Sequence, residues 1–478
     1  MELKNYNKSV SILAFVFVVC LLISVIPLLI SSFYSRPLSD DFTFSLKVRH
    51  AIQSGGGFFE ILSASFQQVK ETYMGWQGTY SAVFIFSLQP AAFSDNLYFL
   101  TTFVMLAALI LSTVYFLNSV FGLMGYDKKY GLIISCILLF LSIQLVVDKH
   151  EAFFWWNGCS YYTLFYSFSL VLYSFLIKLF VSDRNSKRVT YFLLSLLLSA
   201  ITAGGNYSTA LLTAVVLAIS VCAAYKFKRK KLIDYLSVFV VFMICFAVSM
   251  IAPGNSVRAA CFIGVSPVKA IILSLTHSVK YIGQWTGLAQ LACFALIGII
   301  AFSLTKKTEY SFKYPFLVFV FSLLVFATQL TPPIYAMHLD GFGRQINIYY
   351  YAYYLFMTFN IFYFCGWMNS RKILSVRAKN MKMSYIVCGL LFLLCIFFCG
   401  CQNYGLDKLT FVDTTSALIE GTPQAYSEEF TKVINEIVSG KANVKDISTV
   451  PDFLCPLEFD ESSYDLKTGI IVSYYSNE

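Results

Sequence analysis

The sequence predicts an all-α integral membrane protein, and three observations carry that prediction. Hydrophobic residues make up 58% of the chain and charged residues 13%, with a mean hydropathy of +0.69, more apolar content than a soluble core uses. The apolar residues gather into runs of bilayer-crossing length. The basic residues collect in the short segments between alternate runs.

Eleven spans are expected, near 9–33, 97–122, 131–148, 162–181, 191–203, 208–225, 233–251, 289–305, 315–332, 348–368 and 384–402. The first reads as a span rather than a cleavable signal, being long and without a small-residue cleavage site. Lys4, Lys8, Lys128, Lys129, Arg184, Lys187, Arg188, the 226–231 cluster, Lys306, Lys307, Lys313 and the 371–382 cluster share one side with few acids. By the positive-inside rule that side is cytoplasmic, which puts the N-terminus in and the C-terminus out. These loops account for the net charge of +9, so membrane lipids and not nucleic acid are the expected surroundings. Most of the 13 cysteines lie inside apolar spans, where a thiol acts as a small hydrophobe and not as part of a disulfide framework.

Residues 1–402 therefore read as one polytopic domain. Residues 403–478, with thirteen acids against five lysines, read as a small, mostly helical extracytoplasmic tail. The pair of runs at 191–203 and 208–225 is unusual, because the first is short for a bilayer of about 30 Å. Its Gly204-Gly205-Asn206 turn either sits below the outer surface, lining a cavity or buried in protein, or closes a tight hairpin.

The outer face carries the long segments. Loop 34–96 follows the first span and holds Asp40-Asp41, Gly55-Gly56-Gly57, Trp76-Gln77-Gly78-Thr79-Tyr80, and an apolar run at 81–93 too short to span, which reads as an interfacial or re-entrant helix. Adjacent carboxylates repel and raise each other's pKa unless a cation or a proton-accepting task keeps them ionised. The pair reads either as a helix cap, with Ser39 or Asp40 as N-cap, or as an acid–base site. No cofactor is read, although a divalent cation at Asp40/Asp41 is compatible with the pair.

Further along lie Asp148, His150 and Glu151, then Asn206, then Asn255 and Arg258, then His338, Asp340 and Arg344, all at extracytoplasmic ends or loops. Grouping polar residues on one face fits a cavity opening outward. Arg258 and Arg344 are the phosphate-binding candidates, since a guanidinium fork matches phosphate oxygens; snorkelling to lipid headgroups is the alternative. Trp76, Trp155, Trp156 and Trp285 suit an interfacial belt or sugar stacking. There is no phosphate-cradling Gly-rich motif, paired-His helix site or Cys/His zinc spacing.

A long outer loop with an acidic pair and partial helices after the first span resembles the GT-C superfamily of polytopic glycosyltransferases. Ser35-Arg36-Pro37-Leu38-Ser39-Asp40-Asp41, Trp76-Gln77-Gly78-Thr79-Tyr80 and Ala252-Pro253-Gly254-Asn255-Ser256-Val257-Arg258, with the acidic tail, resemble a bacterial multi-pass family without an assigned substrate. The resemblance implies a GT-C-like enzyme of the bacterial plasma membrane. Such an enzyme takes a polyprenyl-phosphate sugar as donor and a cell-envelope glycan or lipid as acceptor. It also implies that Asp40 or Asp41 is the base and that basic residues hold the donor phosphate. Where the pattern has an acid after the broken pair of spans, this chain has Asn206-Tyr207-Ser208. The alternatives are a lipid-linked glycan transporter or flippase, or an envelope assembly scaffold; the chain lacks the internal repeats and in-span charges common in transporters.

Overall fold

The computed structural model describes residues 2–306, 308–373, 409–441, 444, 446–455, 457 and 464–476, and every regular element among them is helical. The apolar run after the N-terminus forms one long helix, α1 (Glu2–Ser31). Pro37, which cannot continue a helix, separates it from α2 (Ser39–Gln53). The three glycines at 55–57 break α2 from α3 (Phe58–Gly75). Then come α4 (Tyr80–Ser87) and α5 (Pro90–Phe93), the latter opened by its proline.

The next hairpin is α6 (Leu100–Leu123) and α7 (Lys128–Gln144), whose start is capped by Asp127 accepting from the Lys129 N–H at 3.0 Å. Two π-helical turns, at His150–Phe154 and Ser160–Leu164, flank the short α8 (Trp156–Cys159) and lead into α9 (Phe165–Val181). Helices α10 (Asn185–Ala203), α11 (Tyr207–Phe227) and α12 (Leu232–Met250) form a second packed group. Then follow α13 (Pro253–Ala259), α14 (Pro267–Trp285), α15 (Leu288–Thr305), α16 (Pro315–Ala327), α17 (Thr331–Met337) and α18 (Gly343–Ser370). The tail contributes α19 (Thr410–Glu420), α20 (Thr422–Val438) and α21 (Tyr464–Tyr475).

Among the described residues, seven helical segments are long and apolar enough to cross a membrane: Val10–Tyr34, Asp95–Leu123, Trp156–Val181, Tyr207–Phe227, Arg229–Met250, Leu288–Thr305 and Pro315–Met337. Large apolar side chains on them, such as Ile23, Ile26, Ile244, Phe316 and Leu317, face outward, as lipid-facing positions do. The chain is a helical membrane protein. Helices α7, α10 and α18 stand where three further spans were expected, and 384–402 lies outside the described residues.

Two local expectations need adjustment. The run read as 191–203 is the second part of a longer helix: α10 begins at Asn185, drawing in the basic turn before the apolar residues. Its Gly204-Gly205-Asn206 turn, a three-residue link to α11, is fully buried. The Gly204 carbonyl accepts from the N–H groups of Ser81 (3.0 Å) and Ala82 (3.3 Å) at the start of α4, and Tyr80 Oη donates to the Ala200 carbonyl at 2.8 Å. The irregular backbone is satisfied by protein, the first of the two ways such a turn is tolerated at depth.

The described tail shares its core with the membrane helices. Thr410 Oγ1 donates to the Ile143 carbonyl at 2.7 Å, and Lys149 Nζ lies 2.6 Å from Asp413 Oδ2. Helix α21 packs on α2. Phe42 meets Tyr474 edge-on with centroids 4.9 Å apart, His50 Nε2 is 2.7 Å from the Ser473 carbonyl, and Gln89 Nε2 donates to Tyr474 Oη at 3.1 Å.

Candidate active site at the acidic pair

The two aspartates part company at the start of α2. The N-cap is Leu38 and neither Ser39 nor Asp40, which makes Asp41 the third helical residue. Its carboxylate turns back to accept from the Leu38 N–H at 3.1 Å, the acid half of a capping box. Asp41 is wholly buried. It also accepts from Tyr98 Oη at 2.6 Å and from the Asn157 N–H at 3.1 Å. Burial pushes its pKa up to about 7, against the opposing pull of these three donors. Asp41 thus joins the start of α2 to α8, where the Trp156 N–H in turn donates to Tyr98 Oη at 3.2 Å.

Asp40 is exposed. Its surroundings still desolvate it enough to raise its pKa, and the charges of Arg344, Arg258 and Lys467 pull it back. An accessible carboxylate, partly desolvated and faced by cations from three distant elements, is placed to take up a proton. The two arginines act on it through their charge from separate seats.

Arg258 sits on α13, donating to Gln77 Oε1 and lying 5.6 Å over the Trp76 ring. This seat is the joint of two segments far apart in sequence. Asn255 Oδ1 accepts from the Gly78 N–H (2.9 Å) and Tyr207 Oη (3.0 Å), while its Nδ2 donates to the Ser249 (2.8 Å) and Met250 (3.0 Å) carbonyls. The approach is so close that a Cβ on Gly78 would overlap the Ser249 carbonyl, and one on Gly254 would crowd the backbone of Trp76. Glycine is required at both.

Arg344 opens α18. Its Nη1 lies 2.6 Å from Glu151 Oε1, its N–H donates to Glu151 Oε2 at 2.6 Å, and its guanidinium lies 5.0 Å over Trp155. The Glu151 N–H donates to Asp148 Oδ1 (2.8 Å), and Asn347 brackets Asp148, accepting from its N–H (2.9 Å) and donating to its carbonyl (2.8 Å). Burial raises the pKa of both acids, with Arg344 opposing it at Glu151. Burial, and then the Arg344 charge, lower His150 to about 3, so it is neutral where it stacks on Trp155 at 5.8 Å.

Of the other expected residues, Trp76 forms the Arg258 seat, and Asn255 is the clamp beneath it. Asn206 is spent on structure: its Oδ1 caps α11 by accepting from the Thr209 N–H (2.8 Å), and its Nδ2 donates to the Tyr161 carbonyl (2.7 Å). Asp340 is engaged by His277 Nδ1 and by Tyr281 Oη at 2.8 Å. His338 is exposed at the end of α17, with a left-handed φ of 55°. Gln77 was quoted only as part of Trp76-Gln77-Gly78-Thr79-Tyr80, and Tyr98, Asn157, Tyr162 and Lys467 were not singled out by their sequence context. Tyr162 lies in electrostatic reach of both arginines. The Asp41 oxygens are occupied by N–H and O–H donors, and among the described residues no three His, Cys, Asp or Glu side chains group as a metal site. The residues present do not fit a divalent cation shared by Asp40 and Asp41.

No family model, curated protein or solved structure matches the chain.

Proposed function

We propose that this protein is a GT-C-like glycosyltransferase with eleven spans, moving a sugar from a polyprenyl-phosphate donor to a cell-envelope glycan or lipid at the outer face of a bacterial plasma membrane. The observation that supports this most is an accessible acid, Asp40, within electrostatic reach of Arg258 and Arg344, which lie more than 200 residues further along the chain. In the reaction the acceptor hydroxyl attacks the anomeric carbon from the face opposite the phosphate, inverting it. Asp40 takes the hydroxyl proton, the bond from C1 to the phosphate oxygen breaks, and the phosphate leaves with the electron pair as a monoester. The arginines oppose the charge that develops there. Asp41 orients: its three hydrogen bonds fix the turn that presents Asp40.

Asp40→Asn keeps shape but cannot accept the proton. It is expected to lower the release of polyprenyl monophosphate from sugar-loaded polyprenyl phosphate by about 10²–10⁴-fold while leaving the thermal midpoint unchanged. Asp41→Asn turns an amide N–H onto a former donor and is expected to cost about 1–3 kcal/mol of stability. Near-wild-type release by Asp40→Asn sinks the enzyme reading.

A further inference from the structure

The turn between α11 and α12 is pinned from inside and charged outside. The membrane-crossing segments Tyr207–Phe227 and Arg229–Met250 are joined through Lys228 alone. So short a link keeps its residues at the depth where a bilayer meets water. Five of the six residues 226–231 are basic. Lys231, at the end of a 3₁₀ turn, is buried, and its Nζ donates to the carbonyls of Leu179 (2.9 Å), Phe180 (3.0 Å) and Ser182 (2.5 Å), closing the end of α9. Arg188 of α10 holds Asp234 of α12 through Nε (2.6 Å) and Nη2 (2.9 Å), and the same Nη2 donates to the Lys230 carbonyl at 3.3 Å. One cation of the turn and its neighbouring acid are thus spent on fixing the backbone.

The other four cations, Lys226, Lys228, Arg229 and Lys230, are in no ion pair among the described residues. Three lie over aromatic rings instead: Lys226 over Phe227 (5.2 Å), Lys228 over Phe180 (5.7 Å) and Arg229 over Tyr225 (5.4 Å). A ring holds a cation without cancelling its charge. The exposed acid beside this turn, Asp183, follows Ser182 and is outnumbered. Around the cations the apolar side chains of Tyr225, Phe227 and Ile233 are exposed, and they run on into the outward-facing Leu236, Val240 and Ile244 of α12. Cations held at headgroup depth beside a lipid-facing apolar surface match a ligand with an anionic head and apolar chains.

We infer that the α11–α12 turn is a binding site for an anionic phospholipid, its phosphate held by Lys226, Lys228, Arg229 and Lys230 and its acyl chains lying along the two helices. The site is separate from the acidic pair and stands whether or not the protein transfers sugars. Its test titrates the full chain, in neutral detergent at low salt, with dioleoylphosphatidylglycerol or with dioleoylphosphatidylcholine, and reads the thermal midpoint. The anionic lipid should raise the midpoint and the choline lipid should not; an equal rise with both, or none with either, overturns the site. Lys226→Gln, Lys228→Gln, Arg229→Gln and Lys230→Gln together should weaken the apparent affinity by about fivefold for each charge removed. Lys128→Gln with Lys129→Gln, in another basic loop, should leave it unchanged. Equal loss per charge at both loops would reduce the effect to general attraction between a basic face and anionic lipid, and the site falls. It falls too if glycerophosphoglycerol, the same headgroup without acyl chains, raises the midpoint as much as the lipid does. Should the fourfold variant fail to fold, Lys228→Gln is judged by the same comparison.

Discussion

The two arginine seats solve the same problem in opposite ways. Both place a guanidinium over a tryptophan, Arg258 over Trp76 and Arg344 over Trp155. Arg344 is then tied to Glu151 by two contacts of 2.6 Å, and Glu151 is braced by Asp148 and Asn347. Among the described residues, Arg258 is hydrogen-bonded to the Gln77 carbonyl oxygen and lies over the open Trp76 ring, itself 41% exposed, with no carboxylate in an ion pair with it. A compensated charge holds architecture together, whereas one with neutral partners keeps its attraction for an incoming anion. On this basis Arg344 mainly builds the site and Arg258 mainly uses it.

The largest effect expected from this difference is on folding. Arg344→Ala leaves the half-buried Glu151 without its cation and should cost about 3 kcal/mol of stability, read as a lowered thermal midpoint in detergent. Adding Glu151→Gln should recover most of the loss, because no orphaned charge then remains. If the single variant is as stable as the wild type, the two seats are alike and the contrast fails.

Next in size is binding. Arg258→Ala should leave the thermal midpoint unchanged while weakening the binding of methyl farnesyl phosphate, a singly charged diester, by roughly tenfold or more, the loss of one charge-assisted contact. A variant that unfolds and still binds whenever folded would reverse the assignment of the two seats.

The smallest effect is on pH. Burial raises the Glu151 pKa despite Arg344, so on acidification Glu151 protonates before an ordinary glutamate does, and the Arg344 charge loses its counter-charge. Affinity for the singly charged diester should then rise a few-fold as pH falls. Folding moves the same way. A carboxyl with a folded pKa above its unfolded value contributes stability below the unfolded value and loses it as pH rises through the folded one. Glu151→Gln should flatten both curves. An unchanged slope would mean that another group controls this seat.

Much of this was legible in the chain, and the limits are physical. The apolar runs were enough for the helical membrane class, while charge asymmetry between loops and the position of Asp40-Asp41 after the first apolar run supplied the expectation that the candidate residues share one end of the helices. Helix phase was not legible. Ser39 and Asp40 are better caps by residue type, yet Leu38 holds that place because the Asp41 carboxylate returns to its N–H. That one-residue shift decides which aspartate is buried. Contacts between remote segments were also hidden. Gly78 meets Asn255 from 177 positions away, and the Arg344 N–H meets Glu151 from 193 away. Spacing says nothing at that range. Asn206 looked like a cavity residue because a polar side chain beside two glycines at membrane depth needs a partner; the partners turned out to be the backbone groups of Thr209 and Tyr161.

The packing of α21 on α2 also sets an order of assembly. His50 and the Ser473 carbonyl it meets are 423 positions apart, so α2 leaves the ribosome long before the helix that covers Phe42 and Arg49 exists. Until then the segment bearing the acidic pair lacks one wall, and an interrupted chain leaves it without that wall for good. Completion of the site thus waits for synthesis through Tyr475. A chain stopped before residue 464 would present exposed aromatic surface to quality-control proteases in place of a finished centre.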